Sequence, residues 1–133
     1  MITLEDIHKP VTAELEAFDD FVERQFTAEG ELLSDMLRYA LSTRGKGIRP
    51  MLVMLSAAMN APVKGASMGR RACLAAMLVE MIHVASLIHD DVIDESDMRR
   101  GKPSANARWQ SHKAVILGDY ILAKNMNIGL QSG

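Results

Sequence analysis

The chain is poor in cysteine, in aromatic residues and in net charge. Its 133 residues include a single cysteine, Cys73, and only 5% of them are aromatic. One cysteine excludes an intramolecular disulfide framework and a multi-cysteine zinc site, and it is typical of a reducing compartment. A formal net charge of −2 argues against non-specific nucleic-acid binding and against a polybasic membrane anchor. The first ten residues carry Glu5 and Asp6 without an apolar core, so we expect no secretory signal and a cytoplasmic protein.

Proline is also scarce, with four copies, and no segment alternates polar and apolar residues for long. Apolar residues recur instead at spacings of three and four, which predicts an all-α fold. The predicted helices in the first half are Leu4 to about Phe26, Glu31 to Leu41, and Met51 to about Met59 with Pro50 in the first turn. A break is predicted from Asn60 to Gly65, because this stretch contains Pro62.

The longest apolar stretch runs from Ala66 to about Val92 and predicts another helix. The most apolar part of this stretch, Cys73 to Ile88, is shorter than the roughly 20 residues that a membrane span requires. Glu80 and His83 lie within it and would be costly in lipid. We therefore expect no transmembrane segment, and we interpret this helix as the centre of a helical bundle. A charged loop (94–103), a short helix (105–111) and a final apolar segment (114–130) are predicted after it.

Two carboxylates, Asp90 and Asp94, are four residues apart at the predicted end of this helix. On a helix they share one face, and a carboxylate pair of this kind can bind Mg²⁺, which keeps its other positions for water and phosphate oxygens. The alternative interpretation is a solvated helix end. Acidic groups at a helix C-terminus oppose the helix dipole, and such conflicts concentrate at functional sites.

Two basic clusters accompany the carboxylates, and glycines lie within or beside both. They consist of Arg44, Lys46 and Arg49, and of Arg99, Arg100 and Lys102. Guanidinium and ammonium groups match phosphate oxygens, so the combination indicates a metal-bridged phosphate or diphosphate site. Either cluster taken alone is better explained as surface charge.

The helix before Asp90 carries further candidates. His83 lies two turns earlier on the same face, where a histidine is either a ligand contact or a satisfied core residue. Ala85 and Ser86 are small, which suits the border of a deep apolar channel or, alternatively, close packing of two helices.

Five segments together resemble the trans-prenyltransferases, the polyprenyl diphosphate synthases. They are Gly45-Lys46-Gly47-Ile48-Arg49-Pro50, Glu80-Met81-Ile82-His83, Ser86-Leu87-Ile88-His89-Asp90-Asp91-Val92-Ile93-Asp94, Arg99-Arg100-Gly101-Lys102-Pro103 and Gly118-Asp119-Tyr120. Their order and spacing match the family over residues 45 to 120. The resemblance implies an isoprenoid-synthase-type antiparallel helical bundle and the head-to-tail condensation of isopentenyl diphosphate with an allylic diphosphate.

The resemblance also implies a role for each matching residue. Asp90 and Asp94 would hold Mg²⁺ against the allylic diphosphate, with Asp91 in the same motif, and Arg99 would contact that diphosphate. The residues that would bind isopentenyl diphosphate are Lys46, Arg49, His83 and Arg100. A homodimer is implied as well.

Related short-chain enzymes carry a bulky aromatic residue four or five positions before the first aspartate of this motif. Ala85 and Ser86 occupy those positions here, so a longer product is expected, of octaprenyl type. Gly47 departs from the family pattern, because a basic residue is common there.

The resemblance covers only the beginning of the family pattern, since a second aspartate-rich motif is expected further downstream. We therefore interpret residues 1–133 as the N-terminal helical part of one synthase domain, inactive alone. Two alternatives stay open at this point. One is a non-catalytic small subunit of a heteromeric synthase, and the other is a His-Asp metal-dependent phosphohydrolase based on His89-Asp90.

Overall fold

The computed structural model describes residues 1–61 and 69–132, and within these residues the chain is mainly helical. The elements are α1 (Leu4–His8), a 3₁₀ turn (Lys9–Val11), α2 (Thr12–Gln25), α3 (Glu31–Ser42), α4 (Ile48–Met59), α5 (Gly69–Ile93), β1 (Met98–Arg99), β2 (Lys102–Pro103), α6 (Ala105–Trp109) and α7 (Ser111–Gln131). The all-α prediction is confirmed. Most of the predicted break, Pro62 to Gly65, and the predicted helix start at Ala66 lie outside the described residues.

The prediction of one continuous helix from Leu4 to Phe26 is wrong, because the 3₁₀ turn separates α1 from α2. Pro10 lies within that turn; it has no N–H group to donate, and its ring collides with the carbonyl four residues earlier in a regular helix. Ile7, expected on the buried face, is 41% exposed. The rest of the predicted apolar stripe is buried and consists of Val11, Leu15, Phe18 and Val22.

The core is centred on α5, which packs mainly against α7 and α4. Its buried side chains include Ala76, Met77, Met81, Val84, Ala85 and Ile88. By length and composition alone α5 could cross a membrane, a property that it shares with core helices of soluble proteins. Here the apolar residues of α5 form the centre of the helical array, as the sequence predicted.

The predicted charged loop contains a short antiparallel hairpin, in which Met98 pairs with Pro103 and Arg99 with Lys102. Arg100 and Gly101 form its tip with positive φ angles of 51° and 77°. Two consecutive positive φ angles are typical of a tight type I′ turn, and glycine adopts such angles without strain. The hairpin thereby holds two neighbouring arginines on a defined backbone.

Tyr39 of α3 anchors the hairpin, because its hydroxyl donates a hydrogen bond to the Pro103 carbonyl at 2.7 Å. The guanidinium of Arg108 lies 4.5 Å from the ring centre of Tyr39 and 4.6 Å from that of Trp109. These cation–π contacts join α3 to α6 and fix the hairpin between them.

Two predicted helix boundaries shift in the structure. The helix with Pro50 in its first turn begins at Ile48 rather than Met51. The helix expected to extend to Ser111 ends at Trp109, and α7 begins at Ser111.

Candidate active site

The acidic end of α5 presents the two predicted metal ligands. Asp90 lies in the last turn and Asp94 directly follows the helix, and both are exposed. The Asp94 N–H donates a hydrogen bond to the Asp90 carbonyl at 2.8 Å, which continues the helical geometry to Asp94. Within residues 1–61 and 69–132, neither carboxylate forms an ion pair or a hydrogen bond. Both carboxylates are therefore available to a ligand.

Asp91 faces the other way and is 4% exposed. Both of its carboxylate oxygens accept hydrogen bonds from Arg99, from Nε and from one terminal nitrogen, each at 2.7 Å. This hydrogen-bonded contact raises the pKa of Arg99 above its usual value, mainly through Asp91. A bidentate pair of this kind fixes the plane of the guanidinium, so Asp91 holds Arg99 beside the acidic end of α5.

A cavity of about 270 Å³ lies between α3, the glycine loop (residues 44–47), α5 and the hairpin. Its walls contain every predicted diphosphate-binding residue, namely Lys46, Arg49, His83, Arg99 and Arg100. Asp90 and Asp94 do not line it. The structure therefore gathers the predicted basic residues into one cavity and leaves the two carboxylates outside it, at the end of α5.

Close packing at one position and backbone conformation at another explain why the loop contains two glycines. A Cβ at Gly45 would overlap the Arg100 guanidinium, which packs directly against the loop. Gly47 has a φ of 66° and precedes the first residue of α4, in a region that L side chains rarely adopt. A Cβ at Gly47 would meet no other atom of the described residues, so the left-handed angle is the only strain that a basic residue would meet at this position.

Burial lowers the pKa of His83, and the nearby positive charge of Arg49 lowers it further. The ring is therefore neutral at neutral pH, with one nitrogen able to donate and the other able to accept a hydrogen bond. A neutral histidine adds directional hydrogen bonding to a cavity whose charge comes from Lys46, Arg49 and the two hairpin arginines.

The two predicted chain-length residues lie in different surroundings. Ser86 is exposed, and its hydroxyl donates a hydrogen bond to the His83 carbonyl at 2.7 Å. Ala85 has no exposed surface, because neighbouring residues of a helix point about 100° apart. Of these two residues, Ser86 alone is on the exposed surface of α5, and the effect of either residue on product length stays a prediction.

The sequence analysis gave His89 and Glu80 no role in the prenyltransferase site, although both belong to the motifs that carry the resemblance. The His89 ring fills the space where Gly118 of α7 lacks a Cβ, and its Nε2 lies 3.1 Å from the Val115 carbonyl oxygen. Glu80 lines the cavity and is 4% exposed. The sequence signal for Glu80 was a charged residue in the middle of the apolar stretch. The signal for His89 was the glycine of the Gly118-Asp119 pair, because a glycine in a helix lets a neighbouring side chain approach closely.

The helical fold thus brings cationic side chains from several elements together at one cavity, near two exposed carboxylates at the end of α5. The family is shown by direct comparison. The chain belongs to the polyprenyl synthetase family, whose model matches residues 30–132.

Curated relatives include the all-trans-nonaprenyl-diphosphate synthase (geranyl-diphosphate specific) of Rhodobacter capsulatus. It is 34% identical over 93% of this chain and 37% of its own length. The octaprenyl diphosphate synthase of Escherichia coli (strain K12) is 36% identical over 92% of this chain and 36% of its own length. The chain thus spans little more than a third of the relatives that it matches.

Solved structures show the same architecture. The decaprenyl diphosphate synthase from Rhodobacter capsulatus superposes with a TM-score of 0.83 at 31% identity, over 97% of this chain and 38% of that structure. The heptaprenyl diphosphate synthase from Staphylococcus aureus gives a TM-score of 0.79 at 29% identity, over 88% of this chain and 36% of that structure. The expected isoprenoid-synthase-type helical fold is confirmed.

Proposed function

We propose that this chain provides part of the active site of a Mg²⁺-dependent prenyltransferase. The reaction condenses isopentenyl diphosphate with an allylic diphosphate and yields a long-chain polyprenyl diphosphate. One observation carries the proposal: a single cavity gathers Lys46, Arg49, His83 and Arg100 beside the free carboxylates of Asp90 and Asp94. The names of the matching synthases support the same reaction.

The carboxylate pair fits Mg²⁺. Asp90 and Asp94 offer exposed hard oxygen ligands one helical turn apart. No group of three or more potential metal ligands occurs in the parts of the chain that the structure describes. Mg²⁺ is suited to such a site, since it commonly takes one or two carboxylates and completes its shell with phosphate oxygens and water. When bound, the ion would stabilise the negative charge on the departing diphosphate.

The basic residues then divide between the two substrates. Arg99, oriented by Asp91 at 2.7 Å, lies nearest the carboxylate pair in sequence and would contact the allylic diphosphate. Lys46, Arg49 and Arg100 would bind isopentenyl diphosphate within the cavity, with neutral His83 supplying a hydrogen bond. The two diphosphates are thereby held on neighbouring parts of one surface.

Bond changes follow from this placement. The allylic carbon–oxygen bond breaks and diphosphate departs, the double bond of isopentenyl diphosphate attacks the resulting allylic cation, and the condensed cation loses a proton to the departed diphosphate to give the product. Water would quench the cation, so the apolar walls of the cavity, which include Val84, Leu87 and Ile88, exclude it from the reacting carbon.

The proposal extends to an octaprenyl-type product and to a homodimer in the cytoplasm. The small side chain of Ser86 on the open face of α5 leaves room for a growing chain. A His-Asp phosphohydrolase has no support, because the chain belongs to a different family and the described residues form no suitable histidine-rich cluster.

A chimera tests the proposed function. Residues 1–132 replace the matching segment of the Escherichia coli octaprenyl diphosphate synthase, and the product of isopentenyl and farnesyl diphosphates is measured with Mg²⁺. We expect turnover by the chimera, and we expect it to fall by about 100-fold or more in Asp90→Asn and in Asp94→Asn. Each substitution removes a ligand of the Mg²⁺ ion that would stabilise the charge of the transition state. Asp97→Asn, an exposed carboxylate nearby, is the matched control and should retain activity.

Equal activity in the Asp90→Asn and Asp97→Asn chimeras would overturn the metal assignment. A folded chimera that releases no polyprenyl product would overturn the reaction itself. Activity restored only by adding an intact partner synthase to the unfused chain would instead support the small-subunit alternative.

A further inference from the structure

Glu80 is a buried carboxylate that the proposed reaction does not use. It lies in the middle of α5 and is 4% exposed. Its Oε2 atom is buried and has no hydrogen-bond partner within residues 1–61 and 69–132. A charged group buried without a partner is strongly disfavoured, so a carboxylate kept at this position requires a reason beyond packing.

The position of Glu80 connects it to the glycine loop. Two cavities, of about 270 and 370 Å³, lie against this loop. Both are lined by Gly45, Lys46 and Gly47, and both are also lined by Glu80. Glu80 and the glycine loop therefore border the same two cavities.

The glycine loop is rich in unused donors. Among the described residues, the backbone N–H groups of Gly45, Lys46 and Gly47 donate no backbone hydrogen bond. Nor does Lys46 form an ion pair within those residues. A buried acceptor without a protein donor thus lines the same cavities as loop N–H groups that have no backbone acceptor, and these cavities are large enough for bridging water.

We propose that Glu80 is a positioning residue that holds the glycine loop and the Lys46 ammonium over the anion-binding cavity. Its carboxylate accepts hydrogen bonds from the loop, directly or through one water, and so preorders the donors that meet a diphosphate. This inference rests on the proposed function of the cavity as a diphosphate site.

The two simplest alternatives to this proposal predict different effects of Glu80→Gln on diphosphate affinity and on stability. A negative charge in the wall of an anion site repels the anion, so Coulomb interaction alone predicts that Glu80→Gln strengthens diphosphate binding. A merely structural role predicts that the substitution lowers stability. Positioning predicts weaker binding, because the loop loses its acceptor, with stability not lowered, because a buried carboxylate oxygen without a protein partner is replaced by a neutral side chain of the same shape.

Inorganic pyrophosphate, titrated calorimetrically into the 133-residue chain, is the binding probe. We expect the dissociation constant to rise about tenfold in Glu80→Gln, the order of effect of losing one hydrogen bond to a charged group. Glu80→Asp should show the same loss, because it keeps the charge and withdraws the carboxylate by one methylene. Glu16→Gln is the matched control, since Glu16 is an exposed carboxylate lining the second cavity.

A second measurement needs no ligand. Glycine amide resonances are resolved in a ¹⁵N correlation spectrum, and those of Gly45 and Gly47 should move in Glu80→Gln but not in Glu16→Gln. Thermal unfolding of each variant reports stability.

The proposal is overturned if Glu80→Gln binds pyrophosphate as tightly as the parent chain or more tightly, if its melting temperature falls, or if the two glycine amides do not move. A parent chain that binds no pyrophosphate would count against the proposed diphosphate site. The glycine amides and the melting temperature of the free chain then decide the role of Glu80 alone.

Discussion

The close approach of α5 and α7 at Gly118 is the contact whose energetic consequence can be worked out most directly. A Cβ at Gly118 would overlap two atoms of the His89 ring and lie 3.0 Å from Cε1. The ring is not free to swing aside, because its Nε2 lies 3.1 Å from the Val115 carbonyl oxygen and 3.4 Å from an Asp119 carboxylate oxygen. Gly118→Ala therefore forces either His89 or α7 to move.

Three contributions determine how far Gly118→Ala changes the free energy of unfolding. Overpacking a tight contact costs about 1–3 kcal/mol, and losing the hydrogen bond of the His89 ring adds about 1 kcal/mol. Replacing glycine by alanine inside a helix offsets about 1 kcal/mol of this. We expect the free energy of unfolding of Gly118→Ala to fall by about 1–3 kcal/mol, measured by urea denaturation.

Gly129→Ala on the same helix is the matched control. A Cβ there would lie 3.2 Å from Cδ2 of Leu78, the far end of a flexible side chain. The helix-propensity gain of up to about 1 kcal/mol should then leave Gly129→Ala as stable as the parent chain or more stable.

A double variant tests the cause. When His89→Ala is already present, the space opposite Gly118 is empty, and the further change Gly118→Ala should no longer lower the free energy of unfolding. If Gly118→Ala is as stable as Gly129→Ala, or if its cost persists without the His89 side chain, the reasoning from this contact is refuted.

Three further predictions concern the candidate site. Asp91→Asn should lower the free energy of unfolding by about 2 kcal/mol in urea, less than for a fully buried pair because the Arg99 side chain is 33% exposed; an unchanged unfolding midpoint would contradict this. The pKa of His83 is lowered by burial and by Arg49, so the unfolded chain binds the proton more readily. The contribution of neutral His83 to the free energy of unfolding is therefore fully present above a pH of about 6.5 and declines as the pH falls below it. A decline of the same steepness in His83→Gln would refute this. Ser86→Phe in the chimera should shorten the polyprenyl product seen by mass spectrometry, whereas Ala85→Phe should lower stability by about 1–3 kcal/mol through overpacking; full-length product from Ser86→Phe would contradict the chain-length prediction.

Local features of the fold were predictable because they depend on neighbours in sequence. The helix expected over Glu31 to Leu41 is observed over Glu31–Ser42. The spacing of its apolar residues and the residues that flank it both favour a helix in this place. The interruption at Pro10 was missed because the apolar stripe continues through it. The spacing of apolar residues reports which face is buried but not whether the hydrogen-bond ladder is continuous.

The candidate site divides in the same way. The placement of Asp90 and Asp94 one turn apart follows from a spacing of four residues, because helical geometry fixes it locally. The pairing of Asp91 with Arg99 does not follow from sequence, since it depends on the tight turn of the hairpin bringing its arginine back to α5. The different surroundings of Ala85 and Ser86 likewise depend on which sides of α5 the neighbouring helices cover.

The sequence by itself determined the helical class, the carboxylate pair and the family resemblance, since each is a pattern of residue types at short spacing. Only the tertiary structure decided that Lys46 and Arg49, His83, and Arg100 reach one cavity, because they lie on the glycine loop and α4, on α5 and on the hairpin. Their convergence results from the packing of α4 and α5 and from the anchoring of the hairpin by Tyr39. The same packing buried Glu80 at the two cavities that the glycine loop also lines, and no local spacing specifies such a placement.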